Sequence, residues 1–124
     1  MKVIETKEAP AAIGPYSQAI LANGFVYTSG QIPLNPKNGA IEADGIEAQT
    51  EQAIKNLGEI LKATGTDFSK VVKTTCFLAN ISDFTAFNAV YEKYFVSKPA
   101  RSCFEVGALP KNALVEIEAV AVKD

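Results

Sequence analysis

The chain has 124 residues, 48% of them hydrophobic, and a formal net charge of −2 at pH 7. This is the length of one domain, residues 1–124, with enough apolar residues for a real core. The acidic balance argues against a nucleic-acid partner, since such modules usually carry a basic stripe, and no apolar run approaches the roughly 20 residues of a membrane span.

The first third of the chain predicts three strands. Residues 2–6 form a short edge strand, and residues 16–22 and 25–29 form two strands joined by Asn23-Gly24. An Asn-Gly pair between apolar runs is typical of a β-hairpin, because both central positions of its turn need a positive φ. The proline- and glycine-rich stretches 9–15 and 30–41 are predicted to be loops.

The rest of the chain predicts two helices and three strands. The first helix begins with a capping pair, Asp44 and Glu47, and ends at Gly65. Its apolar stripe consists of Ile46, Ala53, Ile54, Leu57, Ile60 and Leu61. Ser82 is expected to cap the second helix, which Pro99 bars from continuing. The second stripe consists of Phe84, Phe87, Tyr91, Tyr94 and Phe95. Strands at 70–79, 99–106 and 114–122 complete the order β-β-β-α-β-α-β-β.

This order predicts an α+β fold in which two helices cover one face of a mostly antiparallel sheet. The two faces of the last strand are both largely apolar: Val115, Ile117, Ala119 and Ala121 point one way, and Leu114, Glu116, Glu118, Val120 and Val122 the other. A two-layer domain alone would leave one apolar face in water. We therefore expect that face to be buried against another subunit.

Arg101 stands out because it lies in a stretch that otherwise resembles a buried strand, PARSCFEV at 99–106. A guanidinium cannot lose its charge, so it must meet an anion or reach water. Two interpretations are open at this point. Arg101 forms a structural ion pair with Glu116, Glu118 or a partner subunit, or it captures the carboxylate of a small ligand with both prongs of its planar fork. We expect an arginine and a carboxylate beside each other on neighbouring strands.

The chain has no histidine, so any acid–base chemistry must use other side chains, the backbone or water. Glu116 and Glu118 lie on one face of their strand, ~6.6 Å apart, and periodicity alone does not rank them. Burial would raise the pKa of either carboxyl group toward the working range. The cysteines, Cys76 and Cys103, lack metal-ligand spacing, so we expect no metal site and a reduced, cytoplasmic chain.

Five further residues are candidates for a ligand site. Cys103 invites a role as nucleophile, with Arg101 lowering its pKa, although buried cysteines are mostly inert packing groups. Tyr16 lies where a loop becomes a strand, and Ser29 and Gly30 end a strand at a loop, where backbone N–H groups commonly face ligands. Plain turn chemistry would explain these three equally well. Asn88 lies on or beside the second helical stripe, so its amide must find an internal bond, a partner or a ligand.

Several separate motifs agree with one known family. The segments AAIGPYSQA (11–19), TSGQIP (28–33), PARSCFEV (99–106) and ALPK through VEIEA (108–119) occur in this order and run nearly end to end. Together they resemble the reactive intermediate deaminase family, RidA subgroup, formerly called the YjgF family.

The resemblance implies a chorismate-mutase-like homotrimer with three clefts between subunits. It implies the hydrolysis of 2-imino acids or their enamine tautomers, such as 2-iminopropanoate and 2-iminobutanoate, to 2-oxo acids and ammonia, with no cofactor. By motif, Arg101 would hold the substrate carboxylate and Glu116 would position or activate water. Tyr16, Ser29, Gly30, Asn88 and Cys103 would line the cleft, and Cys103 would not be a required nucleophile.

Two rival functions stay open. One is a regulatory trimer that binds small carboxylates through the same arginine and turns nothing over. The presence of both Arg101 and Glu116 favours the enzyme, since binding alone needs only the cation. The other is an RNA-directed activity, as an endoribonuclease or translation inhibitor. The acidic balance and the missing histidine count against it.

Overall fold

Six strands form one sheet, and two α-helices cover one of its faces, in the computed structural model, which describes residues 1–124. The strands are β1 (Lys2–Ile4), β2 (Ala19–Ala22), β3 (Phe25–Thr28), β4 (Val71–Leu78), β5 (Ala100–Glu105) and β6 (Val115–Val122), and the helices are α1 (Gly45–Thr64) and α2 (Phe84–Tyr94). Across the sheet the strands lie in the order β1-β2-β3-β6-β4-β5. The predicted α+β class and element order are confirmed.

Strand pairing is antiparallel throughout the sheet except between β4 and β5. The β2–β3 hairpin turns at Asn23 and Gly24, whose φ values are 52° and 79°, as the Asn-Gly pair predicts. The parallel pair needs a crossover, and α2 supplies it between β4 and β5. This places α2 beside the edge strand that carries Arg101.

The core lies between the helices and the sheet face beneath them. All six residues of the predicted α1 stripe are buried, and so are Val115, Ile117, Ala119 and Ala121 of β6. On the second stripe Phe87, Tyr91 and Phe95 are buried, whereas Phe84 keeps 36% of its surface exposed. The helix α1 ends at Gly65, which takes the left-handed backbone conformation expected of a C-terminal glycine (φ 89°). Neither helix is long and apolar enough to cross a membrane.

The helix starts differ from the sequence-based expectations. Asp44 occupies the N-cap position of α1, but its side chain caps no backbone N–H, because Gly45 follows with a φ of 86° and breaks the regular cap geometry. Ser82 does not cap α2. It lies inside a 3-10 turn, Ile81–Asp83, whose first N–H donates to Glu105 Oε1 at 2.9 Å. The helix α2 therefore begins after Asp83.

The strand β2 also starts three residues later than expected. The N–H of Tyr16 donates to the Gly14 carbonyl at 2.9 Å, which bends the chain in a tight turn just before the strand. Next to it, Gln18 uses its side chain to bind the N-terminal loop, so residues 16–18 serve a loop and not the sheet.

The second face of the sheet has no helix on it. Glu116, Phe77 and Phe104 are aligned across β6, β4 and β5 on this face, where the two phenylalanine rings meet edge to face at 5.4 Å. Phe104 keeps 44% of its surface exposed and Tyr27, on β3, keeps 48%. The expectation that one largely apolar face stays uncovered in a single chain is therefore confirmed. We call it the open face.

Candidate active site

Arg101 is the only arginine of the chain. It pairs in register with the buried Thr74, which places it on the helix side of the sheet. Its Nη1 donates to Asn88 Oδ1 on α2 at 2.8 Å. The guanidinium carbon lies 4.8 Å from the centre of the Tyr91 ring and 5.4 Å from that of Phe84, within the range of cation–π attraction. Helix and strand thus fix the arginine with an amide and aromatic rings, none of which neutralises its charge.

No carboxylate of the chain pairs with Arg101. The ion pairs in the structure join Glu51 to Lys55 and Lys70 to Asp124, and neither includes Arg101. A structural ion pair with Glu116 or Glu118 of the same chain is therefore wrong. Apart from its bond to Asn88, the half-buried guanidinium makes no hydrogen bond within the chain, so its other N–H groups are free to bind water or an anion.

Cys103 lies two residues beyond Arg101 on the same face of β5. The neighbouring Cys76 thiol and the charge of Arg101 outweigh partial burial and lower the pKa of Cys103 to about 7. Arg101, Asn88 and Cys103 form a contiguous group, which we call the arginine half-site.

Glu116 belongs to a second group, which lines an open cavity of about 530 Å³ together with Tyr16, Ser29 and Gly30. Burial, and secondly the negative charge of Glu118, raise the pKa of Glu116 above its ordinary value. A Cβ atom on Gly30 would lie only 2.1 Å from Glu116 Oε2, so the carboxylate packs directly on the glycine backbone. We call this group the glutamate half-site.

Ser29 and Tyr16 frame the carboxylate through the loops at the ends of β3 and β2. Ser29 Oγ donates to the Ser17 carbonyl at 2.6 Å, and the Ser29 N–H donates to Gln18 O at 2.9 Å. The Tyr16 hydroxyl accepts from the Ile13 N–H at 3.3 Å, while 52% of the side chain remains exposed. The Gly30 N–H makes no hydrogen bond within the chain, so it remains available to a ligand.

The two half-sites lie on opposite faces of the sheet. Cys76 of β4 pairs with Cys103 on one side and Ile117 on the other, and all three point toward the helices. Because successive residues of a strand alternate, Glu116 points to the open face. The expectation that the arginine and the carboxylate lie beside each other on neighbouring strands is wrong, since β4 separates the two strands and the register turns the side chains apart.

Two residues of the glutamate half-site were not among the sequence-based candidates. Gln18 is 3% exposed, and its Nε2 donates to the carbonyls of Thr6 at 3.0 Å and Pro10 at 2.8 Å, which holds the N-terminal loop over the cavity. Lys111 lines the cavity from a left-handed position (φ 56°), and its Nζ donates to Gly39 O. A glutamine at the start of the predicted strand was a usable signal, because its amide cannot be buried without hydrogen-bond partners.

No group of three or more His, Cys, Asp or Glu side chains that could hold a metal ion occurs in the chain. One half-site carries the fixed cation of Arg101, and the other carries the Glu116 carboxylate, whose pKa is raised, in a cavity that Lys111 also lines. Such a pair can hold an anionic substrate and exchange a proton with water, provided that both act on one ligand.

Residues 6–123 match the family model described as Endoribonuclease L-PSP. The chain belongs to this family. It is the YjgF/RidA family that the sequence motifs indicate, so the resemblance is confirmed.

Relatives within the YjgF/RidA family are similar over nearly the whole chain. A Lactococcus lactis protein named as a candidate regulator, AldR, is 59% identical over 98% of this chain and 97% of its own length. A human protein named 2-iminobutanoate/2-iminopropanoate deaminase is 52% identical over 98% of this chain and 90% of its own length. The solved structure of E. coli TdcF with bound serine matches with a TM-score of 0.94 at 41% identity, covering 100% of both chains.

Proposed function

We propose that this protein hydrolyses 2-imino acids, or their enamine tautomers, to 2-oxo acids and ammonia, with 2-iminopropanoate and 2-iminobutanoate as substrates and no cofactor. The observation that carries the proposal is the unpaired guanidinium of Arg101, which Asn88 holds against aromatic rings. The human deaminase, at 52% identity over nearly the full chain, supports the same reaction. The free thiols suit a reducing compartment, so we propose a cytoplasmic location.

A homotrimer of the chorismate-mutase-like type would unite the two half-sites. Within one chain Arg101 and Glu116 face opposite sides of the sheet, so neither half-site is complete alone. The open face exposes Tyr27 and Phe104, and apolar surface of this kind needs a partner. We propose three clefts, each combining Arg101 of one protomer with Glu116 of its neighbour. Sedimentation equilibrium at micromolar concentration should give the mass of a trimer, and a stable monomer would contradict this assembly.

In such a cleft Arg101 would anchor the substrate carboxylate. Its fork can form two parallel hydrogen bonds to a carboxylate, and its bond to Asn88 fixes the orientation of the fork. The anchored imine then has its C2 atom in one place relative to the groups around it, and positioning of this kind supplies much of the acceleration of a reaction.

Glu116 would handle the proton. The substrate enters with its imine nitrogen already protonated. As a carboxylate, Glu116 accepts a proton from water while the water oxygen adds to C2 and the electron pair of the C=N bond moves to nitrogen. The protonated carboxyl group then passes its proton to the nitrogen of the tetrahedral intermediate, the C–N bond breaks, ammonia departs, and the C2 hydroxyl releases its proton to solvent to give the 2-oxo acid. A raised pKa suits both steps, because the group must lose and regain a proton near neutral pH.

The other cleft residues would bind substrate. The free Gly30 N–H is a donor for a substrate oxygen, Ser29 and Tyr16 shape the wall beside Glu116, and Asn88 steadies Arg101. Cys103 would line the arginine side without acting as a nucleophile, since water attacks the imine directly.

The test is release of 2-oxo acid from freshly generated 2-iminopropanoate and 2-iminobutanoate. Wild-type protein should accelerate release, and Arg101→Ala should abolish most of the acceleration. Lys93→Ala is the matched control, because it removes one positive charge from an exposed position of α2 and should leave turnover unchanged. Equal turnover of wild type and Arg101→Ala would contradict the proposal.

A regulator that binds small carboxylates without turnover is the second candidate, favoured by the name of the Lactococcus lactis relative at 59% identity. The same assay separates the two. Saturable binding of a 2-oxo acid by calorimetry, lost in Arg101→Ala, together with no acceleration of imine hydrolysis, would establish the regulator. Turnover by the purified protein would establish the enzyme.

A further inference from the structure

Cys76 and Cys103 form an in-register pair across the parallel strands β4 and β5. Paired residues of neighbouring strands point to the same face, here the helix side. Neighbouring strands lie about 4.8 Å apart, within the span of about 4.4–6.8 Å between Cα atoms that a disulfide bridges. Both side chains are free thiols, and the Cys76 thiol donates to Thr74 Oγ1 at 3.9 Å on the same face of β4. The spacing of the two backbones therefore permits a disulfide between the pair.

The two thiols differ in exposure and in charge environment. Cys76 is completely buried under α2, whereas Cys103 is half-buried on the edge strand beside Arg101. The neighbouring Cys103 thiol and burial raise the pKa of Cys76. The neighbouring Cys76 thiol and the Arg101 charge lower the pKa of Cys103 to about 7. Cys103 is thus the thiol that ionises first and that a small oxidant reaches.

We propose that Cys103 and Cys76 form a peroxide-sensitive dithiol, in which Cys103 reacts first and Cys76 closes an intrachain disulfide. The Cys103 thiolate attacks one oxygen of hydrogen peroxide and the O–O bond breaks. Hydroxide is the leaving group, and Cys103 becomes a sulfenic acid. The Cys76 sulfur then attacks the Cys103 sulfur, giving up its proton as the S–O bond breaks and water leaves. Two thiols are oxidised by two electrons, and one peroxide is reduced to two waters.

This modification makes no use of imine hydrolysis, in which Cys103 is not required. The test therefore measures the number of free thiols and the mass of the chain, and it is independent of the proposed activity. Wild-type protein treated with stoichiometric hydrogen peroxide should lose both free thiols and two hydrogens of mass per chain. Peptide mapping without reductant should find residues 76 and 103 in one linked fragment, and dithiothreitol should restore both thiols.

Cys76→Ala is the matched variant, because it removes the second thiol and leaves Cys103 beside Arg101. In this variant the sulfenic acid on Cys103 should persist and be trapped by dimedone, whereas wild type should give almost no adduct. Equal dimedone adducts in both proteins, a disulfide between chains, or two free thiols in wild type after peroxide would overturn the proposal. Alkylation of wild-type Cys103 by iodoacetamide gives an independent measurement if the variant does not fold. Its rate should rise with a midpoint near pH 7, and a midpoint at or above that of an ordinary thiol would contradict the assignment.

Discussion

Replacing Gly30 with alanine probes the placement of Glu116 without touching its carboxyl group. The new Cβ would lie 2.1 Å from Glu116 Oε2 and 2.8 Å from Cδ, and atoms in proteins keep about 3.0 Å or more. The carboxylate must therefore withdraw by roughly 1 Å. Displacement of a reacting group by ~1 Å costs about 10²-fold in rate, or about 2.7 kcal/mol in transition-state free energy. The backbone of Gly30 has no positive φ, so the fold should tolerate alanine.

The assay is steady-state release of 2-oxobutanoate by Gly30→Ala. Gly107→Ala is the matched control, because a Cβ there meets no atom within 4 Å, and its kcat/KM should equal that of wild type. In a Glu116→Ala background, Gly30→Ala should have no further effect, since the atom that it displaces is gone. Wild-type kcat/KM in an intact Gly30→Ala protein, or full additivity of the two changes, would refute the role given to Glu116.

Three further predictions follow from the same geometry. Arg101→Lys should lower kcat/KM by about tenfold to a hundredfold, or ~1.5–3 kcal/mol in transition-state free energy, because a point charge cannot reproduce the two-pronged carboxylate contact. Wild-type kinetics in a folded variant would exclude the anchor role. Glu116→Gln should lower turnover ~10²-fold, whereas Cys103→Ser should keep most of it, and the reverse order in steady-state assays would point to covalent catalysis. The acidic limb of the pH profile of kcat/KM should reflect the raised pKa of Glu116, with activity increasing as pH rises through that pKa. Glu118→Gln should shift this limb to lower pH, because it removes a neighbouring negative charge, and an unmoved limb would contradict the assignment.

Most of the fold could be predicted from local patterns. The α1 stripe, the Asn23-Gly24 turn and the glycine at the end of α1 each depend on nearby residues, and all were confirmed. The start of α2 was not predicted, because the group that caps its preceding turn is Glu105, 24 positions along the chain. Long-range caps of this kind leave no periodic signal in the sequence.

The candidate site was predictable in residue types but not in arrangement. The pattern singled out Arg101 and Glu116, yet it placed them side by side. Their separation depends on β4 lying between β5 and β6, and strand order is a property of the whole chain. Gln18 was missed for the same reason, because its partners Thr6 and Pro10 belong to a loop that precedes its strand.

Complementation between two inactive variants tests most directly the central claim that one cleft combines Arg101 and Glu116 from different protomers. Arg101→Ala and Glu116→Gln chains carrying different affinity tags are co-expressed, and trimers containing both are isolated by two successive purifications. In the proposed homotrimer, each mixed assembly would have one cleft of three with both residues intact, so about one third of wild-type turnover should return. Mixed trimers as inactive as the two parent variants would contradict a site shared between subunits.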